Sequence, residues 1–299
     1  MPTPWWFSDV EALTGAEMGD ASLGELWNLS ERLRFVRENV SAQDLAADVA
    51  ANGAATTTWA RFVRREAFVR GALDAATDLE ASLIRDGGRV PAAFRAHWEA
   101  LGFVPNAIGS GTPADDYLDA LFRTSRLVFD GPAAPLANVN LASRARRVSD
   151  FLTLTTPGVT DVVFDLGSGS GKVALTVAAS CVTRVEGVEL VGAHVGEART
   201  SASSLGLGNA SFHEADVRDV DLSSGSIFYL YFPFRGAVAS SVASTLGTLA
   251  TEKDITVYAS GPRWDYGEFF LREVDRGALT LSGRRGDHDE VMVLTSERR

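Results

Sequence analysis

The chain has 299 residues, 45% of them hydrophobic, and a formal net charge of −11 at pH 7. This length supplies enough apolar material for two domains. The acidic charge argues against nucleic acid as a partner, because binding a phosphate backbone needs a basic surface. The single cysteine, Cys181, excludes an internal disulfide, and nothing clusters with it to suggest a metal site.

Neither a membrane span nor a secretory leader is predicted. No run of about 18 apolar residues is present, and residues 1–6 lack a basic start followed by an apolar stretch. The sequence therefore predicts a cytoplasmic protein. Lysine occurs only at Lys172 and Lys253 while alanine, glycine and arginine are plentiful, as is typical of a bacterial GC-rich genome.

The first part of the chain, residues 1–135, is predicted to be an all-α domain, since its apolar residues recur at helical spacing. The run Asp86-Gly87-Gly88 should end a long helix, because paired glycines are poor in a helix interior. Pro91 should open a short helix. Thr112 should cap a further helix with Pro113 at its first position, running to about Phe129.

The second part, residues 136–299, changes to alternating strand and helix patterns after a linking helix predicted over 138–154. The first strand begins at Val162, and its β-branched and aromatic residues indicate burial. Six more strands are predicted at 184–190, 210–215, 226–234, 255–259, 278–284 and 290–295. The last two form an antiparallel closing pair, whereas a nicotinamide-binding domain would continue with another parallel strand.

A glycine loop follows the first of these strands. It reads Asp165-Leu166-Gly167-Ser168-Gly169-Ser170-Gly171-Lys172 and precedes an apolar helix predicted over 173–179. Glycines at such a turn allow positive φ and a close approach of a ligand to the backbone, next to the free N–H groups of a helix start. The G-x-G-x-G spacing lacks the third glycine of the dinucleotide fingerprint and does not fit a Walker A loop.

This run resembles motif I of the class I S-adenosylmethionine (SAM)-dependent methyltransferases. The resemblance covers residues 161–235 and implies a Rossmann-like α/β sheet of seven strands with an antiparallel C-terminal pair. It implies SAM as cofactor and S-adenosylhomocysteine as product. In the family, the loop passes under the methionine part of SAM and the acidic residue orders it, which assigns cofactor binding to Asp165, Gly167, Ser168, Gly169 and Gly171.

Two more strand ends carry acidic residues. Glu189 follows Asp165 by 24 residues, where an acid can accept hydrogen bonds from both ribose hydroxyls. Asp216 ends the third strand, where the family places an acid or amide facing adenine. With their neighbours Leu190 and Val217, these residues complete the predicted cofactor site. Taken singly, Asp165 or Asp216 could be a helix cap and Glu189 a solvated loop acid.

The acceptor side is predicted at the end of the fourth strand, in Tyr231-Phe232-Pro233-Phe234. This run resembles the [Asn/Asp]-Pro-Pro-[Tyr/Phe] motif of amino-group methyltransferases only at its last two positions, which disfavours a nucleobase amine. Tyr231 is the catalytic candidate and also a cofactor candidate. Phe232, Pro233 and Phe234 are substrate candidates, and with them Tyr117 and Trp264. Alternatively, the aromatics are simply core at a buried strand end.

Several readings of the whole chain stay open. The favoured one is methyl transfer to a nitrogen or oxygen of a small molecule; the alternatives are a protein-lysine methyltransferase of the seven-strand class and a non-catalytic SAM-binding module. A nicotinamide oxidoreductase is disfavoured by the missing glycine. The helical first part is expected to act as a lid over the acceptor or as a homodimerisation element. Lys172 and the basic run 144–147 are expected to be solvated.

Overall fold

The computed structural model describes residues 22–40, 53–104, 111–124, 143–261, 267–285 and 290–296. The described residues fall into two compact units. One contains the residues up to Ala81 together with those from His97 to Tyr117, and the other contains Ser82–Ala96 and the residues from Leu118 onward. No helix within these ranges is both long enough and apolar enough to cross a membrane.

The N-terminal region is helical, as predicted. Its four described helices are α1 (Leu23–Asn39), α2 (Gly53–Arg85), α3 (Pro91–Ala100) and α4 (Pro113–Phe122). The helix α1 begins with a capping box, in which the Ser22 hydroxyl accepts from the Glu25 N–H and the Glu25 carboxylate accepts from the Ser22 N–H. The helix α2 buries Phe62, Val69 and Leu73 on one face.

The capping predictions in this region are confirmed, but one helix is shorter than predicted. The Asp115 N–H donates to the Thr112 hydroxyl at 3.2 Å, while the Asp115 carboxylate accepts from the Thr112 N–H. The helix α2 ends at Arg85, directly before the diglycine. The helix α4 ends at Phe122 and not near Phe129, because the backbone of Arg123 takes a left-handed conformation with φ 53°.

The remaining elements form the predicted alternation of strands and helices. In chain order they are α5 (Ala145–Thr155), β1 (Val162–Leu166), α6 (Lys172–Ser180), β2 (Arg184–Glu189), α7 (Gly192–Ser204), β3 (Ala210–Glu214), a 3₁₀ turn (Val217–Asp219), β4 (Ile227–Tyr231), α8 (Gly236–Glu252), β5 (Thr256–Gly261), α9 (Glu268–Asp275), β6 (Leu279–Arg285) and β7 (Glu290–Ser296). The linking helix α5 starts at Ala145, seven residues later than predicted.

The seven strands form one sheet in the order β3-β2-β1-β4-β5-β7-β6. The strands β1 to β5 pair in parallel, and β7 pairs antiparallel to both β5 and β6. This Rossmann-like sheet with an antiparallel ending confirms the predicted fold. The order reverses between β1 and β4, and in open α/β sheets ligands bind outside the carboxyl ends of strands at such a point.

Alternating side chains cover the two faces of the sheet. Phe164 and Leu166 of β1 belong to a large apolar cluster with β4, β5 and α8. Val163 and Asp165 point to the opposite face. On that face Phe151 of α5 packs edge-on to Tyr229 and Tyr258, whose rings stack on each other. Most of the buried apolar side chains therefore lie around the seven-stranded sheet. Their packing fixes the position at which each strand ends.

Candidate cofactor and acceptor site

The glycine loop is built from three left-handed glycines. Gly167, Gly169 and Gly171 have φ values of 83°, 53° and 87°, in the region that other residues rarely adopt. The N–H groups of Gly167 and Ser168 donate to the Val188 carbonyl at 2.8 and 3.0 Å, so that the loop is attached to the end of β2. Gly167 is exposed, whereas Gly169 and Gly171 are buried.

The Glu189 carboxylate, at the carboxyl end of β2, also binds the glycine loop. It accepts hydrogen bonds from the N–H groups of Gly169 and Val191, each at 2.9 Å. Glu189 is therefore not the solvated loop acid of the alternative reading, because it connects the glycine loop to the start of α7. Its side chain is half-buried, and a carboxylate with two bonded N–H groups still has lone pairs for further donors.

Asp165 lies at the end of β1, beneath the glycine loop. Its carboxylate accepts from the Ala174 N–H at 3.2 Å in the first turn of α6, and the side chain is almost fully buried. Burial, with a smaller contribution from the charge of Glu189, raises the pKa of the Asp165 carboxyl from 3.8 to about 7. The acid thus fixes the loop to the helix at an electrostatic cost above neutral pH.

The raised pKa of Asp165 predicts a pH dependence of stability. Because the folded state holds this proton more tightly than the unfolded chain, the contribution is fully present below pH 3.8 and is lost as the pH rises to about 7. In the Asp165→Asn variant, urea unfolding at pH 4, 6 and 8 should show a smaller loss of stability with rising pH than in the wild type. Parallel pH profiles of the two proteins would contradict the assignment.

Asp216 has the capping role that the alternative reading gave it. Its carboxylate accepts from the Arg218 N–H at 3.0 Å at the start of the 3₁₀ turn, and the Arg218 guanidinium bonds both of its oxygens at 2.9 and 2.6 Å. These bonds lower the pKa of the Asp216 carboxyl from 3.8 to about 2. Val217 is buried directly behind it, while Leu190 is half exposed after β2.

Lys172 is buried, contrary to expectation. Only 6% of its side chain is exposed, and its ammonium forms an ion pair at 2.8 Å with Asp119 of α4, whose side chain is 12% exposed. A cation in the first turn of a helix is unfavourable by itself. The carboxylate of Asp119 offsets that cost and connects α4 to the helix that follows the glycine loop.

This ion pair predicts a strong, non-additive effect on stability. Lys172→Met leaves Asp119 without the cation in a poorly solvated place and should cost about 3 kcal/mol. The double variant Lys172→Met with Asp119→Leu should lose much less than the sum of the two single variants. Urea unfolding measures all four proteins, and additive losses would show that the two charges act independently.

The acceptor candidates lie where β4 ends. The strand stops at Tyr231, earlier than predicted, because Phe232 takes a left-handed φ of 43°, which is rare for an aromatic residue. This turn directs Pro233 onto the glycine loop, since a Cβ built on Gly167 would lie 2.2 Å from the Pro233 Cβ. Phe232 packs beside Gly261 at the end of β5, and Phe234 is buried in the apolar cluster.

Arg147 of α5 reaches the same strand ends, although the sequence predicted a solvated helix face there. Its guanidinium lies over the Tyr231 ring, 4.3 Å from the centroid, and donates a short hydrogen bond to the hydroxyl of Ser260 in β5. Tyr231 and Ser260 are register partners in the sheet. No local pattern in the sequence indicates this long-range contact.

Tyr117 and Trp264 are the two remaining substrate candidates. Tyr117 lies in the other unit and is fully buried, with its ring edge-on to His97 at a centroid distance of 5.5 Å. Trp264 lies outside the described residues. No group of His, Cys, Asp and Glu in the described ranges is arranged to hold a metal ion.

The sheet order, the glycine loop and the strand-end carboxylates have the arrangement that the sequence predicted from its resemblance to class I methyltransferases. Residues 163–240 match the family model of a methyltransferase domain. Over these residues the chain therefore resembles a methyltransferase domain, as the sequence predicted. No curated protein sequence matches the chain.

Solved structures of similar fold include an RNA methyltransferase from Salinibacter ruber in complex with S-adenosylhomocysteine. It is 22% identical, with a TM-score of 0.41, over 53% of this chain and 95% of that one. Another is the magnesium protoporphyrin IX methyltransferase from Synechocystis PCC 6803 with bound SAM. It is 16% identical, with a TM-score of 0.39, over 51% and 79% of the two chains.

Proposed function

We propose that this protein transfers the methyl group of SAM to a nitrogen or oxygen of a small molecule, at the edge where β1, β2 and β4 end. The observation that carries the proposal is the contact of Glu189 with the Gly169 N–H at 2.9 Å. It joins the ribose-binding candidate to the loop that would lie under the methionine part. A carboxylate that can accept from hydroxyl groups, next to a glycine loop, fits this cofactor.

Each residue of the proposed cofactor site would have a distinct role. Glu189 would accept from the ribose hydroxyls with its remaining lone pairs. Gly167 and Gly169 would let the backbone approach the ligand closely, and Ser168 would contact it between them. Gly171 would let the loop turn tightly into α6 beside Ala198 and Phe212, and Asp165 would hold the loop against α6. The acid of Asp216, with Leu190 and Val217, would border the adenine.

SAM, when bound, supplies an electrophilic methyl group on a sulfonium. The protein has to orient the acceptor and exclude water, and such positioning can contribute about 7–11 kcal/mol. The chain turn formed by Phe232, Pro233 and Phe234 would shape the acceptor side. Tyr231 could hold or receive a proton at its hydroxyl if the nucleophile arrives protonated.

The placement of Arg147 supports a small-molecule acceptor over a protein lysine. One face of the Tyr231 ring already carries the Arg147 guanidinium. An ammonium group brought to the same ring would meet a like charge, which weakens the case for a lysine side chain or a charged amine there. A neutral or anionic acceptor meets no such repulsion.

The helical part of the chain, proposed as residues 1–135, would complete the acceptor side as a lid. Tyr117 of this part and Trp264 of the second part stay candidates for contact with the acceptor. A protein-lysine methyltransferase and a non-catalytic SAM-binding module are the competing functions.

Calorimetric titration with SAM, S-adenosylhomocysteine and NAD tests the cofactor assignment. Micromolar binding of the two adenosyl ligands without NAD is the expected result, and binding of NAD alone would overturn it. Transfer of labelled methyl from SAM to a set of small hydroxyl and amine compounds, compared with lysine peptides, then tests the acceptor class. Labelling of peptides alone would favour the lysine alternative, and binding without any transfer would favour the module.

A further inference from the structure

The outward face of α2 carries an arrangement that the methyltransferase site does not explain. Arg64, Gly71 and Asp78 are all exposed and follow one another at intervals of seven residues. Side chains seven apart lie nearly above one another on a helix. They form a single line with a cation at one end, a glycine in the middle and an anion at the other end.

Apolar side chains accompany this line. Phe68 and Leu79 are 61% and 62% exposed, and Val63 is 42% exposed. Exposed Ala67 and Ala75 lie next to the central glycine. Among the residues that the structure describes, no heavy atom lies within 4 Å of a Cβ built on Gly71, so there the middle of the line is open to close approach. We call the face made by these eight residues the α2 outer face.

The charge along α2 is polarised in the same direction. On its exposed surface, Arg61, Arg64 and Arg70 precede Asp74 and Asp78. The other two acids of this stretch, Glu66 and Glu80, are buried, and Glu66 is paired with Arg70. A partner helix that runs antiparallel with the same sequence places its acidic half opposite this basic half. The face is thus complementary to itself, as a two-fold symmetric interface requires.

We propose that the α2 outer face binds a second copy of this chain, with the two helices antiparallel and crossing at Gly71. Arg64 of each copy then faces Asp78 of the other, which gives two symmetric ion pairs. Phe68 lies against Ala75 and Leu79 of the second copy, and the absence of side chains at Gly71 lets the backbones approach. The proposal is independent of the methyltransferase function.

The size of the contact sets the expected strength. Residues 63–79 span about 25 Å of helix. A contact between one pair of such helices has a smaller area than the usual interface of a stable complex. A reversible dimer with a micromolar Kd is therefore expected. Its affinity should fall as salt is added, because the ion pairs lie at a surface.

Sedimentation velocity of the full chain across the micromolar range tests the proposal. The wild type should shift from monomer to dimer with concentration. Arg64→Asp and Asp78→Arg should each weaken the dimer at least about tenfold, since like charges then face each other. The double variant with both changes should restore it. Arg32→Asp on α1, also an exposed arginine, is the charge-matched control and should leave the dimer unchanged.

Each outcome decides the matter. A wild type that stays monomeric over the whole range overturns the proposal, as does a dimer that persists in both single variants. Loss of the dimer in the single variants without rescue in the double variant also overturns it, because the antiparallel register demands the rescue. Circular dichroism of every variant establishes that the helices are intact.

Discussion

Gly167→Val is expected to abolish SAM binding while Gly196→Val leaves it unchanged. The Gly167 backbone has φ 83°, which a β-branched residue adopts only under strain. The new Cβ would also lie 2.2 Å from the Pro233 Cβ and 3.0 Å from its Cγ. Because the proline ring is tied to its own backbone, either the glycine loop or the turn after β4 has to move.

A loss of SAM affinity of at least about 100-fold is expected from this displacement, equivalent to about 3 kcal/mol. Calorimetric titration measures it, and urea unfolding reports separately on stability. Gly196 is a matched control because it lies exposed in α7, where no atom of the described part of the chain lies within 4 Å of an added Cβ. If Gly167→Val disturbs folding, Gly167→Ala provides the smaller change. Wild-type affinity in a folded Gly167→Val protein would refute the placement of the ligand.

The second large effect is expected at Glu189. Its carboxylate accepts from the N–H groups of Gly169 and Val191, and in the proposed site also from the ribose. Hydrogen bonds to a charged group contribute about 1.5–3 kcal/mol each. Glu189→Ala should therefore weaken SAM binding by about 10- to 100-fold, and lower stability by a smaller amount through the freed loop.

Glu189→Gln separates the two contributions. Its single carbonyl oxygen can replace only one of the two acceptors, so an intermediate loss of affinity is expected. Glu197→Gln provides the control, because Glu197 is an exposed residue of α7. Calorimetry with S-adenosylhomocysteine measures all three variants. A folded Glu189→Ala protein with unchanged affinity would mean that the ribose lies elsewhere.

The strands could be predicted from the sequence because their signals are local. The β-branched runs, the acids that end them and the glycines of the loop are each contained in a few residues. Where a residue takes an unusual backbone conformation, the predicted end of the helix or strand was wrong by several residues. Arg123 and Phe232 both take positive φ. Because this conformation is unusual for arginine and phenylalanine, α4 and β4 were predicted too long.

Long-range contacts explain the errors at the site. Lys172 was expected to be solvated, yet the apolar composition of α6 on all its sides already indicated a buried helix. Its partner Asp119 could not be identified from sequence, because ion pairing across 53 positions leaves no spacing signal. The same holds for Arg147, which meets Tyr231 and Ser260 only after the sheet has formed.

The position of β7 has a consequence for the order of assembly during synthesis. The strand lies between β5 and β6 and pairs with both, although it is later in the chain than either. A nascent chain extended only to Arg285 therefore exposes the edge of β5 and leaves β6 without its neighbour. Unpaired edges of this kind invite pairing with other chains. A truncated chain that lacks β7 would thus keep β1, β2 and β4 with the glycine loop but would have a sheet prone to aggregation.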